Sequence, residues 1–252
     1  YFLMDKAFMF PAIPQSEEEI EISRQHFFDT IEQLKNTPDF RLPHPETLSF
    51  HFPFYQNYQG KNNKELMAAL ASFFETVSPE IYYKAAYCTQ SRSEGKMPRI
   101  GFVSEHFHNS VFSLCFNEMM ALCGDRDDME IYALSLSHKR DDVLEQLAQR
   151  VDHMVILPSR LDAAREKIAS LELDAIIYLD IGVSLQAYFL AFARLAPIQC
   201  SATGHPITTG IPTMDYYITA RNMEPENYHE HYTEEPVLLE NVPAVFLQPT
   251  PI

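Results

Sequence analysis

The chain has 252 residues, of which 46% are hydrophobic and 21% are charged, and it contains no low-complexity tract. This composition excludes a disordered protein, and the length suffices for a large buried core. Acidic residues outnumber basic ones by 35 to 19, and the formal net charge of −16 disfavours nucleic acid as a partner. The longest apolar stretch, residues 187–198, is too short to span a bilayer and contains Arg194. We therefore expect a globular cytoplasmic protein with no membrane partner and with reduced cysteines.

Both ends of the sequence suggest that the natural protein continues. Tyr1-Phe2-Leu3 is not a typical start for a natural chain. The sequence stops in a proline-rich run, residues 248–252, which is typical of a linker between domains. We expect further residues on both sides.

Residues 1–95 predict a small helical annex. Ser16 and Glu19 form a capping-box pattern that predicts the start of one helix, which ends before Pro38. Asn63 is a candidate cap for a second helix, which Pro79 ends. Apolar residues recur at helical spacing in both segments: Ile20, Phe27, Ile31 and Leu34 in the first, and Leu66, Leu70, Phe73 and Val77 in the second. The Pro- and aromatic-rich segment 43–58 between the two helices favours an extended, packed connector.

From residue 96 to residue 252 the pattern predicts strands that alternate with helices. Short apolar runs at 99–103, 130–134, 154–157, 175–179 and 198–200 are typical of buried strands. Helical patterns lie between them at about 110–123, 141–150, 161–171 and 185–193. Such alternation requires right-handed crossovers, and it predicts an α/β fold with a parallel sheet that is covered on both faces.

Three polar loops follow predicted strands, at residues 104–110, 180–184 and 203–210. Ligands of such sheets bind outside the carboxyl ends of the strands, so we expect the chemistry in these loops. In the first loop, His106 or His108 could take a proton from an acceptor, beside helix-start N–H groups that favour a diphosphate. Two alternatives stay open: the histidines could merely hydrogen-bond the loop, or their His-x-His spacing could ligate a metal. We assign no metal to the site.

The third loop, GHPITTG at 204–210, combines a histidine, a stiff proline and two hydroxyls between glycines. We expect His205, Pro206, Thr208 and Thr209 to contact the substrate, although a structural turn would use the same residue types.

Asp180, in the second loop, could accept a hydrogen bond from a sugar hydroxyl, orient a histidine, or cap the helix predicted near Leu185. Asp215 and the segment 230–234 are interpreted as structural. The dinucleotide-binding and P-loop glycine motifs, the serine-hydrolase elbow and zinc signatures are all absent from the sequence, which disfavours the common nucleotide enzymes.

Four segments together resemble the N-terminal half of the catalytic region of the SPINDLY/O-GlcNAc transferase family, in its bacterial branch. They are RIGFVS at 99–104, RLAPIQ at 194–199, GHPITTG at 204–210 and MDY at 214–216. The second and third segments are the specific part of this resemblance. The segment YHEHYTE at 228–234 also resembles the family, and residues 10–90 resemble the linker between its TPR repeats and its catalytic core.

The resemblance implies a GT-B glycosyltransferase, in which two Rossmann-like domains face each other across a cleft. It further implies inverting transfer of a sugar from a nucleotide sugar, expected to be a UDP-sugar, to a protein side chain, with no other cofactor. In this family the donor is bound mainly by the C-terminal half, so we expect the isolated N-terminal half to be inactive. The implied partners are the nucleotide sugar, an acceptor protein or peptide, and the adjoining TPR and C-terminal catalytic domains.

Two positions depart from the family pattern: Thr203, where related bacterial sequences often have Trp, and the position of a possible base. The family commonly has a histidine, discussed as a base, a few residues after the Val-Ser of the first segment, where this chain has Asn109-Ser110. Either His106 or His108 takes over that role, or the role is lost. The second case gives the alternative function, a degenerate transferase domain that serves as a protein-interaction module.

Overall fold

The described residues of the annex form three α-helices. The computed structural model describes residues 2–48, 52–89 and 95–246 of the chain. Helix α1 spans Phe2–Phe8, α2 spans Glu17–Lys35 and α3 spans Lys64–Val77; the last two were predicted, whereas α1 was not. The hydroxyl of Ser16 accepts from the amide of Glu19 at 3.1 Å, as the capping-box pattern predicts.

The annex departs from the prediction in two details. Asn63 precedes α3 but its side chain makes no cap; the Asn62 side chain accepts from the amide of Lys64 instead, at 2.9 Å. The connector predicted at 43–58 contains short 3-10 turns at Pro45–Thr47 and Tyr55–Gln59, and residues 49–51 lie outside the described residues. Further 3-10 turns lie at Pro79–Ile81 and Ala86–Thr89.

A parallel sheet of seven strands forms the second part of the fold, which confirms the predicted α/β class. Its strands are β2 (Arg99–Ser104), β3 (Glu130–Ser135), β4 (His153–Ile156), β5 (Ala175–Tyr178), β7 (Ile198–Ala202), β8 (Tyr216–Ala220) and β9 (Glu235–Leu239). The two-residue strands β1 (Tyr83–Lys84) and β6 (Ala193–Arg194) pair separately. The crossover helices are α4 (Val111–Gly124), α5 (Asp142–Ala148), α6 (Leu161–Ala169) and α7 (Leu185–Ala191). Strands β8 and β9 extend the sheet beyond the predicted elements.

Both faces of the sheet are buried, each by its own apolar cluster. Phe102 and Ile131 contribute to the cluster under α4 and α5, whereas Val103 and Leu134 contribute to the cluster that includes α6 and α7. This alternation follows from the two-residue side-chain period of a strand. The continuous apolar runs of the sequence are therefore the mark of a sheet without a solvated face.

The annex packs on the α7 side of the sheet and shares its core. The ring of Phe74 meets that of Phe189 edge-on, with centroids 4.8 Å apart. The buried Arg165 guanidinium donates to the carbonyls of Glu80 and Ile81, at 3.0 and 2.6 Å. The division into domains at residues 1–95 and 96–252 stays a prediction, because one apolar cluster joins the two parts. No helix within the described ranges is both long and apolar enough to cross a membrane.

The strand order places the polar loops together. The sheet runs β4-β3-β2-β5-β7-β8-β9, so successive strands are added outward from β2 on one side and outward from β5 on the other. The order therefore reverses between β2 and β5, which are hydrogen-bonded neighbours. In open α/β sheets this switch point leaves a crevice at the carboxyl ends of the strands. The loops at 104–110 and 180–184 lie at that point.

Candidate active site

An imidazole–carboxylate pair lies at the switch point. Asp180 follows β5 and is fully buried, and its Oδ2 accepts hydrogen bonds from the hydroxyl of Ser104, the amide of Glu105 and Nδ1 of His106, each at 2.8 Å. Of the roles that the sequence left open for Asp180, orienting a histidine is the one that the structure shows. Capping of α7 falls to Ser184, whose hydroxyl accepts from the amide of Ala187.

The bond to Asp180 fixes both the tautomer and the basicity of His106. Because Nδ1–H donates to the carboxylate, the neutral ring leaves Nε2 without a proton, as a proton acceptor. The same bond raises the pKa of His106 above its ordinary value of 6.5; burial opposes the rise, and the charge of Glu105 adds to it. The His106 side chain keeps 25% of its surface exposed and stacks on Phe112, with centroids 5.0 Å apart. The site therefore holds an oriented base whose pKa the carboxylate raises and which solvent can reach.

Asp180 can also accept a further hydrogen bond. Its Oδ1 is buried and has no hydrogen-bond partner among the described residues. A buried carboxylate oxygen without a partner is rare, because leaving it unpaired costs free energy. Water or a ligand hydroxyl would satisfy it.

His108 lies beside the pair but is not oriented by a carboxylate. Its ring centroid is 6.0 Å from that of His106, and its Nδ1 is buried without a partner in the described part of the chain. Within the same part, no group of three or more His, Cys, Asp or Glu side chains is arranged to hold a metal ion. Of the two predicted base candidates, His106 has the oriented geometry.

Ser110 is used as a helix cap. Its hydroxyl accepts from the amide of Ser113 at 3.1 Å and donates to the carbonyl of His106 at 2.8 Å. The position where the related family commonly has a histidine therefore serves here to begin α4 and to hold the backbone of His106.

The third loop places His205 inside the molecule. The residue is 3% exposed, and burial lowers its pKa to about 4, so the ring is neutral at physiological pH. Nε2 of His205 lies 2.5 Å from the side-chain nitrogen Nδ2 of Asn57, in the annex. Direct contact between His205 and a substrate stays a prediction.

Thr208 and Thr209 are held by a buried carboxylate. Both are at most 2% exposed. Thr208 donates its hydroxyl to Oε2 of Glu234 at 2.6 Å, and Thr209 donates its amide to Oε1 at 2.8 Å and its hydroxyl to the same atom. Thr233 donates to Oε2 as well, at 3.1 Å. These bonds fix the loop conformation, and a substrate contact by either predicted threonine stays a prediction.

Gly204 permits a close approach, but to the protein's own backbone. A Cβ atom at this position would lie 1.7 Å from the carbonyl oxygen of Leu179 and 2.8 Å from the ring of Phe112. Leu179 precedes Asp180, and Phe112 stacks on His106. The third loop is thus in tight contact with two residues that adjoin the His106–Asp180 pair.

A cavity of about 160 Å³ adjoins this loop, at the carboxyl ends of β7 and β8. Pro206, Thr203, Thr219 and Glu224 contribute to its lining. The carboxylate of Glu224 accepts from the hydroxyls of Thr219 and Tyr232, both at 2.7 Å. Pro206 is thereby the predicted substrate-contacting residue of this loop that borders a cavity.

Sequence comparison identifies the family. The model of glycosyl transferase family 41 matches residues 41–247. The chain belongs to this family. The match confirms the resemblance on which the sequence interpretation depended, and it includes every residue of the site described above.

Known relatives support the family assignment over shorter stretches. A UDP-N-acetylglucosamine--peptide N-acetylglucosaminyltransferase of Caenorhabditis elegans is 32% identical over 150 residues, which are 58% of this chain and 13% of the relative. The probable enzyme of the same description, SEC, from Arabidopsis thaliana is 28% identical over 146 residues, 57% of this chain and 15% of the relative. The chain thus spans only a small part of the relatives that it matches.

A solved structure shares the fold. A mutant of the Thermobaculum terrenum O-GlcNAc transferase superposes with a TM-score of 0.64 at 18% identity, over 90% of this chain and 42% of that one. At this identity the similarity supports the fold, and the seven-stranded parallel sheet agrees with it.

The sequence analysis missed two residues that shape the site. Glu234 was interpreted only as part of a structural segment, and its carboxylate holds Thr208 and Thr209. Asn57 was placed in a connector without a role, yet it contacts His205. Both contacts join residues far apart in the chain, so no local pattern could indicate them.

Proposed function

We propose that this chain is the acceptor-side half of an inverting glycosyltransferase, which transfers a sugar from a nucleotide sugar to a hydroxyl group of a protein side chain. The His106–Asp180 pair at the switch point of the sheet carries this proposal, because it supplies an oriented base at the place where such folds bind ligands. Membership of glycosyl transferase family 41 supports the reaction class.

In the proposed reaction, Nε2 of His106 removes the proton from the acceptor hydroxyl. The freed oxygen lone pair forms a bond to the anomeric carbon, and the bond from that carbon to the diphosphate breaks, with its electron pair leaving on the nucleoside diphosphate. Attack from the face opposite the leaving group inverts the anomeric centre. Asp180 stabilises the imidazolium that forms, as the carboxylate of a catalytic triad does.

The donor is proposed to be a UDP-sugar, since the related enzymes carry that nucleotide in their names. We propose that a C-terminal Rossmann-like half binds most of the donor and that TPR repeats adjoin this chain in the complete protein. We further propose that the protein acts in the cytoplasm. His205, Pro206, Thr208 and Thr209 are proposed to form the sugar-side wall. Pro206 would contact the substrate at the cavity, and the other three would act through the shape of the loop. His108 is the reserve candidate for the base.

The test is transfer by the complete transferase, measured with radiolabelled UDP-, GDP- and dTDP-sugars and an acceptor-protein array. His106→Gln removes the base, and we expect its turnover number to fall by roughly 10²–10⁴-fold. His138→Gln is the matched control, because His138 is exposed and its ring lies 2.9 Å from the hydroxyl of Ser159, a contact that does not involve the His106–Asp180 pair. Unchanged transfer by His106→Gln, or no transfer from any donor by the folded wild-type protein, would contradict the proposal.

The alternative, a degenerate domain that binds partners, has one observation in its favour. Ser110 replaces the family's histidine and is committed to capping α4. If this alternative holds, the complete protein transfers no sugar, and replacement of His106 leaves acceptor binding unchanged.

A further inference from the structure

His205 is enclosed by residues from both parts of the fold. From the annex, the side-chain amide nitrogen Nδ2 of Asn57 lies 2.5 Å from Nε2 of His205. The ring of Phe54 stacks on the imidazole, with centroids 5.2 Å apart and planes 19° apart. From β8, the hydroxyl of Tyr217 donates to the His205 carbonyl at 2.9 Å. The ring therefore has a defined position that depends on the docked annex.

The opposite edge of the same ring touches the loop that carries Asp180. A Cβ atom built on Gly182 would lie 2.1 Å from Nδ1 of His205, and Gly182 has a φ of +90°. The turn is tight, because the carbonyl of Asp180 accepts from the amides of both Val183 and Ser184, at 3.0 Å. A shift of the His205 ring toward or away from Gly182 would therefore move the turn that begins at Asp180.

These contacts form one continuous path from the annex to the base: Asn57, His205, Gly182, Asp180 and His106. We propose that Asn57 and His205 are positioning residues, through which the docked annex sets the geometry of the Asp180–His106 pair. The role of the pair in transfer rests on the proposed function, whereas the path itself rests on contacts alone.

The chemistry of His205 suits a positioning role. Burial keeps the ring neutral, so Nε2 or Nδ1 is free to accept a hydrogen bond from a neutral amide. A charged ring between Phe54 and Gly182 would need a counter-ion, and none of the bonds described for His205 supplies one. His205 thus acts as a neutral spacer between Gly182 and the annex, in contact with the side chain of Asn57.

The experiment measures the pKa of His106 in the complete protein, by hydrogen–deuterium exchange at the imidazole C2 position with mass spectrometric detection. Asp180→Asn sets the scale, since it removes the charge that raises this pKa. Asn57→Ala breaks the path at its first step, and His205→Phe keeps a ring beside Phe54 but removes the nitrogen that Asn57 contacts. Asn62→Ala is the control, because Asn62 also ties the annex to the sheet part, through the Glu230 carbonyl at 2.9 Å, but lies off the path.

We expect Asn57→Ala and His205→Phe to lower the pKa of His106 by at least half of the change that Asp180→Asn causes, and Asn62→Ala to leave it unchanged. Where transfer is measurable, both path variants should lower the turnover number, and Asn57→Ala should leave the donor KM unchanged. An unchanged pKa in both path variants, or an equal change in Asn62→Ala, overturns the proposal. The pKa is measured without substrate, so failure of the proposed transferase activity is a separate result.

Discussion

Replacing Glu234 with alanine should destabilise the fold. The change removes a buried carboxylate that has no cationic partner in the contacts described, but it also removes a hydrogen-bond acceptor. The carboxylate accepts from the hydroxyls of Thr208, Thr209 and Thr233 and from the amide of Thr209. In the variant, Thr208 and Thr233 can still bond each other, since their hydroxyl oxygens are 2.8 Å apart. Both donors of Thr209 lose their acceptor, and each buried unpaired donor costs about 1–3 kcal/mol.

Removing the carboxylate also ends the cost of burying it, which offsets part of that loss. We therefore expect Glu234→Ala to lower the free energy of unfolding by about 2–4 kcal/mol, measured by urea denaturation with fluorescence detection. Glu235→Ala is the matched control, because the neighbouring Glu235 is exposed and should change stability by less than about 0.5 kcal/mol. A loss below about 1 kcal/mol in Glu234→Ala, or equal losses in both variants, would refute this reasoning.

Three further predictions concern stability. Burial lowers the pKa of His205 from 6.5 to about 4 in the folded state, so between these pH values the unfolded chain binds a proton that the folded chain does not. The contribution of His205 to the free energy of unfolding is therefore complete above pH 6.5 and falls by about 1.4 kcal/mol per pH unit as pH drops toward 4. Subtracting the pH profile of His205→Phe should show this slope, and parallel profiles would contradict it. Gly204→Ala should lower the free energy of unfolding by about 3 kcal/mol, because the added Cβ would overlap the Leu179 carbonyl. A melting temperature within about 2 °C of wild type, which corresponds to roughly 0.5 kcal/mol, would contradict the overlap. Ser184→Ala should cost about 1 kcal/mol in urea denaturation through the lost cap of α7 at Ala187, and an unchanged midpoint would argue against that cap.

The alternation of strands and helices could be predicted because each element has its own hydrophobic periodicity and its own residues that begin or end it. The strand at 99–104 and the helix that Ser16 caps are local features, and the structure confirms both. Strand β9 escaped prediction because it is an edge strand that contains Pro236 and whose side chains alternate between exposed and half-buried, so it lacks the buried pattern of the central strands. Helix α1 was missed because it lacks a local cap signal and is stabilised by aromatic contacts such as that of Phe8 with Phe27.

The candidate site could be predicted only in part. The positions of His106 and Asp180 at neighbouring strand ends follow from sheet topology, so their proximity was within reach of the sequence. The role that Asp180 takes could not be predicted from the sequence, because it depends on a side-chain contact between residues 74 positions apart. The buried environment of His205 depends in the same way on Asn57, which is 148 residues away.

The central claim is that His106, oriented by Asp180, is the base of a glycosyl transfer. The most direct test is the pH dependence of kcat/KM for sugar transfer by the complete protein, in wild type and Asp180→Asn. The account predicts that the rate rises with pH as His106 loses its proton, and that Asp180→Asn shifts this limb to lower pH and lowers the plateau, because the carboxylate raises the pKa and stabilises the imidazolium. Superimposable profiles for the two proteins would contradict it.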